Sequence, residues 1–303
     1  MIEETFSYPD YLATKKAIDD QSLNKYVWEA MVDWVKTQQV KKTPLKILEI
    51  GAGTGTMIER LLEAQVLRDC IYTAVELESS FRAIAFERLT KWSNPNNSSI
   101  LNVSNEKRIT LCNKNRIELE WINADILNIK NQLDNNCFDL LIGHAIIDLL
   151  PVPTCMSNLL AFLKPEGAFY FSLNFSGETL FFPTHPYDEI IIESYHRTMD
   201  ERFPYLDWLP SKTGCNLGPW LNTQGHNLLA EGSSDWNLPI NTLPKNTNFL
   251  FTSNILDTIS NALKKTSKLN EWLKVRRQQQ NTGELKLIIT NKDCFGSKAN
   301  NLV

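Results

Sequence analysis

An α/β fold, with helices on both faces of a largely parallel sheet, is what this sequence predicts, and three observations carry the prediction. Lys46-Ile47-Leu48-Glu49-Ile50 is a short apolar run that ends in a glycine-rich turn, and a helix-like stretch begins at Met57. Ile71–Glu76 is a second apolar run closed by an acid, again followed by helical periodicity from Ser79 to Trp92. Cys137–Ala145 is apolar almost throughout, as expected of a strand buried on both faces. Short apolar runs alternating with helical stretches are the pattern of a parallel α/β sheet.

The turn after the first run is Gly51-Ala52-Gly53-Thr54-Gly55. Glycine reaches backbone angles that other residues avoid, and it lets a ligand approach the main chain. A dinucleotide fingerprint would place its third glycine at position 56, which is Thr56 here; the third glycine falls one residue early, at Gly55. The run from Glu49 to Gly55, E-x-G-x-G-x-G, resembles motif I of the class I S-adenosylmethionine (SAM)-dependent methyltransferases. That resemblance implies a loop around the methionine and ribose of SAM, formed by Glu49, Gly51, Ala52, Gly53, Thr54, Gly55 and Met57. On glycine alone, a structural turn or a dinucleotide site stays open, so the downstream acids decide.

Strand two ends at Glu76, followed by Leu77, where Rossmann-like folds hold a ribose. A carboxylate can accept from both vicinal hydroxyls at once; the alternative is a helix N-cap acid. A loop at Asn94–Ser99 precedes a hairpin, Ile109–Cys112 and Ile117–Ile122 about Asn113-Lys114-Asn115. Its second arm enters Ala124-Asp125-Ile126, which resembles the family's next motif and makes Asp125 the adenine-side candidate. Strands one and four flank the switch point of such a sheet. The turn Gly143-His144-Ala145 then opens onto the cofactor's methyl end, and His144 and Asp148 are the catalytic candidates. For His144 a contact to the cofactor or a cap on the next helix is the alternative. A helix over Pro153–Leu163 leads into Lys164-Pro165-Glu166-Gly167, the family's L-K-P-x-G entry to strand five, which ends at Asn174.

The resemblance therefore spans residues 46–174 and implies a seven-stranded, Rossmann-like methyltransferase sheet with an N-terminal helical lid and helical cap insertions. Residues 1–44 are read as the lid. A helix there carries Leu23, Val27, Met31 and Val35 on one face, with Asp19, Asp20 and Ser22 as caps; Tyr8 and Tyr11 precede it as substrate-side or packing residues. Residues 45–174 form the SAM-binding core and 175–226 a substrate cap, with a helix over Tyr187–Glu201 and a short one near Leu217–Leu221. Residues 227–303 return to the core through strand six at Asn227–Ser233, a polar loop at Ser234–Lys245, and helices at Phe249–Lys265 and Ser267–Gln280. A last strand at Glu284–Thr290 inserts antiparallel between strands five and six. Asn174, Phe175, Glu178 and Tyr195 are the further substrate candidates.

Net charge is −4, with a pI near 5.7, which disfavours a nucleic-acid partner. No basic leader and no apolar run of about 20 residues is seen, so neither export nor membrane insertion is expected and a cytoplasmic location is. The six cysteines and four histidines are scattered, so no metal is expected.

Methyl transfer from a sulfonium is an in-line displacement in which positioning supplies much of the acceleration. A neutral amine attacks through its own lone pair. A hydroxyl needs a base, and a carboxylate attracts a cationic clamp. The cap is acidic (Glu178, Asp188, Glu189, Glu193, Asp200, Glu201 and Asp207 against Arg197 and Arg202), and such a mouth would concentrate cations; a solvated helix face is the alternative. Lys264, Lys265, Lys268, Lys274, Arg276 and Arg277 form a basic run near the end, read as a grip for an anionic substrate or as plain surface charge. The expected function is SAM-dependent methylation of a small molecule of specialised metabolism, on an amine or guanidine, with S-adenosylhomocysteine as product. O-methylation of a hydroxyl or carboxyl, on a small molecule or peptide, is the alternative, and a SAM-binding protein without catalysis the remote one. No N/D-P-P-Y tetrad follows strand four, where His144-Ala145-Ile146-Ile147 stands.

Overall fold

The computed structural model describes residues 8–41, 44–93, 99–104, 108–112 and 116–299. The expected loop at 94–98 and hairpin turn at 113–115 lie outside the described residues.

Five parallel strands form the centre: β1 (Leu45–Ile50), β2 (Cys70–Glu76), β5 (Arg116–Asn123), β6 (Phe138–His144) and β7 (Leu163–Phe182). An antiparallel pair, β3 (Ser99–Ser104) and β4 (Arg108–Cys112), extends the β5 edge. At the other edge β10 (Lys286–Ser297) lies antiparallel between β7 and β8 (Asn227–Ser233), and the short β9 (Trp236–Leu238) pairs with the start of β10. The order is β3-β4-β5-β2-β1-β6-β7-β10-β8, a single sheet of ten strands. The seven expected strands are its frame, β4 is the expected first arm of the hairpin with β5, and β3 and β9 are additions. β9 occupies a stretch expected to be a polar loop, because Trp236 and Leu238 turn inward there while Asn237 faces out. β7 passes its expected end at Asn174 by a further arm, which β10, longer than expected, pairs along its length.

Alternation along β1 explains the two layers. Leu45 and Ile47 face one core, with α2 (Lys25–Lys41), α3 (Thr56–Glu63) and α4 (Phe81–Ser93). Leu48 and Ile50 face the other, with α5 (Val152–Ala161) and α7 (Thr213–Thr223). A third apolar cluster forms above the C-terminal ends of the strands. It joins α1 (Tyr8–Ser22), α6 (Asp188–Asp200), α8 (Lys245–Ala262) and α9 (Ser267–Thr282) to the outer arms of β7 and β10. The stretch ahead of α2 thus forms a helix of its own, α1, packed on α8 and β9.

Two charge readings change here. Arg276 is not surface charge: it is fully buried, pairs with Asp188 and donates to Pro183 O at 2.6 Å. Asp188, read as part of an acidic mouth, also accepts from Trp272 Nε1 at 2.7 Å. Asp200 accepts from Ser211 N and Oγ, both at 2.9 Å, and Glu178, Glu189, Glu193, Glu201 and Asp207 are exposed. None of these acids lines the central cavity, so the acidic residues of the cap do not form its mouth.

Candidate functional site

A cavity of about 790 Å³ opens at the C-terminal ends of β1, β2, β5 and β6, where a doubly wound sheet places its ligands. The glycine turn forms its floor. Gly51, Gly53 and Gly55 all have positive φ (64°, 53° and 77°). A Cβ on Gly51 would lie 2.7 Å from Ile146 Cγ1, so this glycine lets the turn pack under the strand-four loop. A Cβ on Gly53 would meet only Leu12 Cδ1, at 3.8 Å, which leaves that side of the turn open to a ligand.

Glu76 fixes the turn from strand two. Its Oε2 accepts from Gly53 N at 2.7 Å and its Oε1 from Glu78 N at 2.9 Å. Beneath it Glu49 is buried and accepts from Tyr72 Oη at 2.7 Å; burial pushes its carboxyl up to about 8, against the pull of Tyr72 and Arg60. Thr54 lines the cavity, and its Oγ1 is buried and has no hydrogen-bond partner among the described residues. Asp125 lines the far wall with Ala124 and Ile126, and its oxygens accept from Leu127 N and Asn128 Nδ2, both at 2.9 Å. Open glycine backbone, a strand-end carboxylate, an orphan hydroxyl and an apolar slot suit a nucleoside carrying an amino-acid arm.

Of the expected cofactor residues, Glu49, Gly51, Ala52, Gly53, Thr54, Glu76, Leu77, Ala124, Asp125, Ile126, His144 and Ala145 line the cavity. Gly55, Met57 and Gly143 do not. Gly55 begins α3 where a Cβ would lie 3.0 Å from Ala85 Cβ, Met57 is fully buried beneath, and a Cβ on Gly143 would lie 2.9 Å from Ile147 Cδ1. On the substrate side Phe175 and Tyr195 line the cavity, whereas Asn174 is buried in the sheet, donating to Lys292 O at 2.9 Å, and Glu178 faces out. Tyr8 and Tyr11 sit in the first turns of α1, and their side chains lie outside the described residues.

His144 links β6 to β7 and α1. Its Nδ1 is 2.8 Å from Ser172 Oγ and its Nε2 3.1 Å from Asp19 Oδ2, so both ring nitrogens are engaged. Burial, with Arg60 adding to it, pushes its pKa down to about 4, so the ring is neutral. Asp19 also accepts from Lys15 Nζ at 2.6 Å and from Trp236 Nε1 at 3.1 Å. Although burial opposes it, the charge of Lys15, with His144 and Arg60, holds Asp19 down at about 2. One carboxylate thereby fastens α1 to β6 and β9 over the cavity. A Lys-Asp pair at i, i+4 was the available sign in the sequence, but its tertiary partners left none there.

Asp148 is different. It lines the cavity in the turn after β6, where desolvation raises its carboxyl to about 6, and among the described residues no other side chain bonds to it. The same cavity is lined by Leu173 and Phe175 of β7, Tyr195 and Met199 of α6, Trp236 of β9, Arg202 just beyond α6, and Asn254, Ile255 and Thr258 of α8; of these, Arg202 and Tyr195 interact electrostatically with Asp148. No helix is long and apolar enough to cross a membrane, and no cluster of potential metal ligands occurs among the described residues.

Residues 27–160 match a family model described as "Putative S-adenosyl-L-methionine-dependent methyltransferase". No curated protein sequence matches the chain. Among solved structures it is similar to a phosphoethanolamine N-methyltransferase of Haemonchus contortus in complex with SAM, at 15% identity over 86% of this chain and 50% of that one (TM-score 0.41). It is also similar to an arsenic(III) SAM methyltransferase of Chlamydomonas reinhardtii, at 13% identity over 86% and 65% of the two chains (TM-score 0.42). A third is described as a "putative sarcosine dimethylglycine methyltransferase" of Galdieria sulphuraria, at 12% identity over 89% and 86% (TM-score 0.42).

Proposed function

We propose that this chain, a SAM-dependent methyltransferase of the class I fold, transfers the methyl group to an amine of a small molecule. When bound, SAM supplies an electrophilic methyl on a sulfonium. The glycine turn, Thr54 and Glu76 would hold its amino-acid arm and ribose, and the slot between Leu77 and Ile126 its base. Asp125 already serves its own turn, so its remaining lone pairs are what it offers to an adenine.

The single observation that carries the choice of acceptor is Asp148. An acid tuned to about 6 is ionised at neutral pH yet close enough to it to take a proton. Its carboxylate can seat an ammonium group and accept the proton that must leave before the nitrogen lone pair attacks. Phe175 and Tyr195 add aromatic lining that would favour a cation and exclude water, while the Trp236 ring already carries Lys15 Nζ at 4.8 Å. O-methylation is the second reading, because the same carboxylate can act as base toward a hydroxyl. Labelled SAM offered with a panel of small amines and their hydroxyl counterparts separates the two. Transfer to amines, lost in Asp148→Asn, supports the reading; transfer to hydroxyls alone overturns it.

A further inference from the structure

The charged groups around the cavity fall into two sets. Lys15 and Asp19 neutralise each other, Glu76 and Asp125 accept backbone or local side-chain donors, Glu78 accepts from Ser80 N and Oγ, and Glu49 holds its proton. Asp148 and the Arg202 guanidinium remain. Among the described residues neither side chain has a hydrogen-bonding or ion-pair partner in another residue; both line the cavity, and the charge of Arg202 reaches Asp148. Both act on the same phenol: burial raises Tyr195 most, Arg202 pulls it down and Asp148 pushes it up. Leu173, Phe175, Met199 and Trp236 give the same cavity an apolar lining.

Resting on the amine reading above, we infer that the acceptor is an amino acid, its amine seated at Asp148, its carboxylate on Arg202 and its apolar or aromatic body against Phe175, Met199 and Trp236. A cavity that keeps one negative and one positive group without a hydrogen-bonded partner, beside apolar side chains, complements a ligand carrying the opposite pair. A carboxylate fits better than a phosphate. One guanidinium matches one carboxylate in a two-bond fork, whereas a phosphate dianion would need a second cation and Lys15 is already committed to Asp19. Arg202 is exposed at the mouth, so the carboxylate enters last and the amine reaches the interior.

The test uses the full chain with labelled SAM and matched acceptors: tryptophan, tyrosine and phenylalanine, each beside the amine that lacks its carboxylate (tryptamine, tyramine, phenethylamine). The expected result is a kcat/KM for the acids on the order of ten- to a hundredfold above the amines, carried by KM, as one charged hydrogen-bond pair provides. Arg202→Ala should collapse that ratio toward one, and Arg202→Lys should restore part of it. Transfer to the amines at least as good as to the acids, or a ratio that Arg202→Ala leaves untouched, overturns the inference while the amine reading stands. Transfer to neither set, with S-adenosylhomocysteine binding intact by calorimetry, overturns both.

Discussion

The Tyr72 hydroxyl donates to Glu49 Oε2 at 2.7 Å beneath the glycine turn, and both side chains are buried. The acid that opens the cofactor motif is therefore a protonated carboxyl, raised by burial, and by Glu76 to a lesser degree, to about 8 from an ordinary 4.5. The folded chain keeps a proton that the unfolded chain releases between those values, so stability falls as pH rises through that window. Glu49→Gln preserves the acceptor for Tyr72 and removes the titration. It is expected to stabilise the fold by about 1–3 kcal/mol at pH 9 and hardly at all at pH 5. Thermal melts at the two pH values check this, and equal melting points at pH 9 contradict it.

On the proposed mechanism, Asp148 sets the pH dependence of the reaction. Desolvation raises its carboxyl to about 6, and the ionised form is the useful one, so kcat/KM should fall as pH drops through 6. Asp148→Asn should lower the rate by about 10²–10⁴ and flatten that limb, the range for a positioned proton acceptor. An unchanged acid limb in the variant would assign it to another group.

Asp19 receives Lys15, His144 and Trp236 on one carboxylate. Asp19→Ala leaves a buried ammonium and two buried ring nitrogens without their partner, at a cost of about 3–5 kcal/mol. Amide exchange across Tyr8–Ser22 should accelerate far more than across β1, because α1 alone loses its anchor. In the native protein Asp19 is held at about 2 against an ordinary 3.8, a stabilising contribution of about 2 kcal/mol that is present above pH 4 and lost as pH falls toward 2. Acid titration followed by exchange shows whether α1 opens in that interval.

Gly51 and Gly53 should respond differently to a side chain. Gly51→Ala drives a methyl into Ile146 and should destabilise the fold by about 1–3 kcal/mol. Gly53→Arg places its bulk on the open side of the turn at the cost of about 1–2 kcal/mol of backbone strain at positive φ, so it should abolish S-adenosylhomocysteine binding while the protein stays folded. Calorimetry and melts of the two variants would show the opposite pattern if Gly53 were the packed residue.

The central strands and the glycine turn were legible because their determinants are local: apolar runs of strand length, a turn needing positive φ, and acids at strand ends. The C-terminal strand between β7 and β8 followed from the family resemblance and stands where expected. The environments of the site were not legible. His144 looked like a base from its place in the turn, yet its two partners come from α1 and β7, far away in sequence. The acids of the cap read as an electrostatic mouth because composition counts charges without saying which are spent; Asp188 and Asp200 are bound to Arg276 and Ser211. Trp236 was lost within a polar stretch because one inward side chain on each side of Asn237 is too little periodicity to reveal a strand.

The tenth strand lies inside the sheet, with β7 on one side and β8 and β9 on the other. Asp293 on that strand accepts from Asn24 N at 2.8 Å and from Leu173 N at 2.7 Å, tying the start, middle and end of the chain together. The cavity, lined by Ile289 and Asn291 of β10 and by Trp236, which pairs with it, as well as by α1, is therefore complete only once β10 has been made and placed between its neighbours. A nascent or clipped polypeptide would hold the glycine turn and much of the cofactor slot with no seat for an acceptor. Competence to methylate would thus report that β10 has been made and paired.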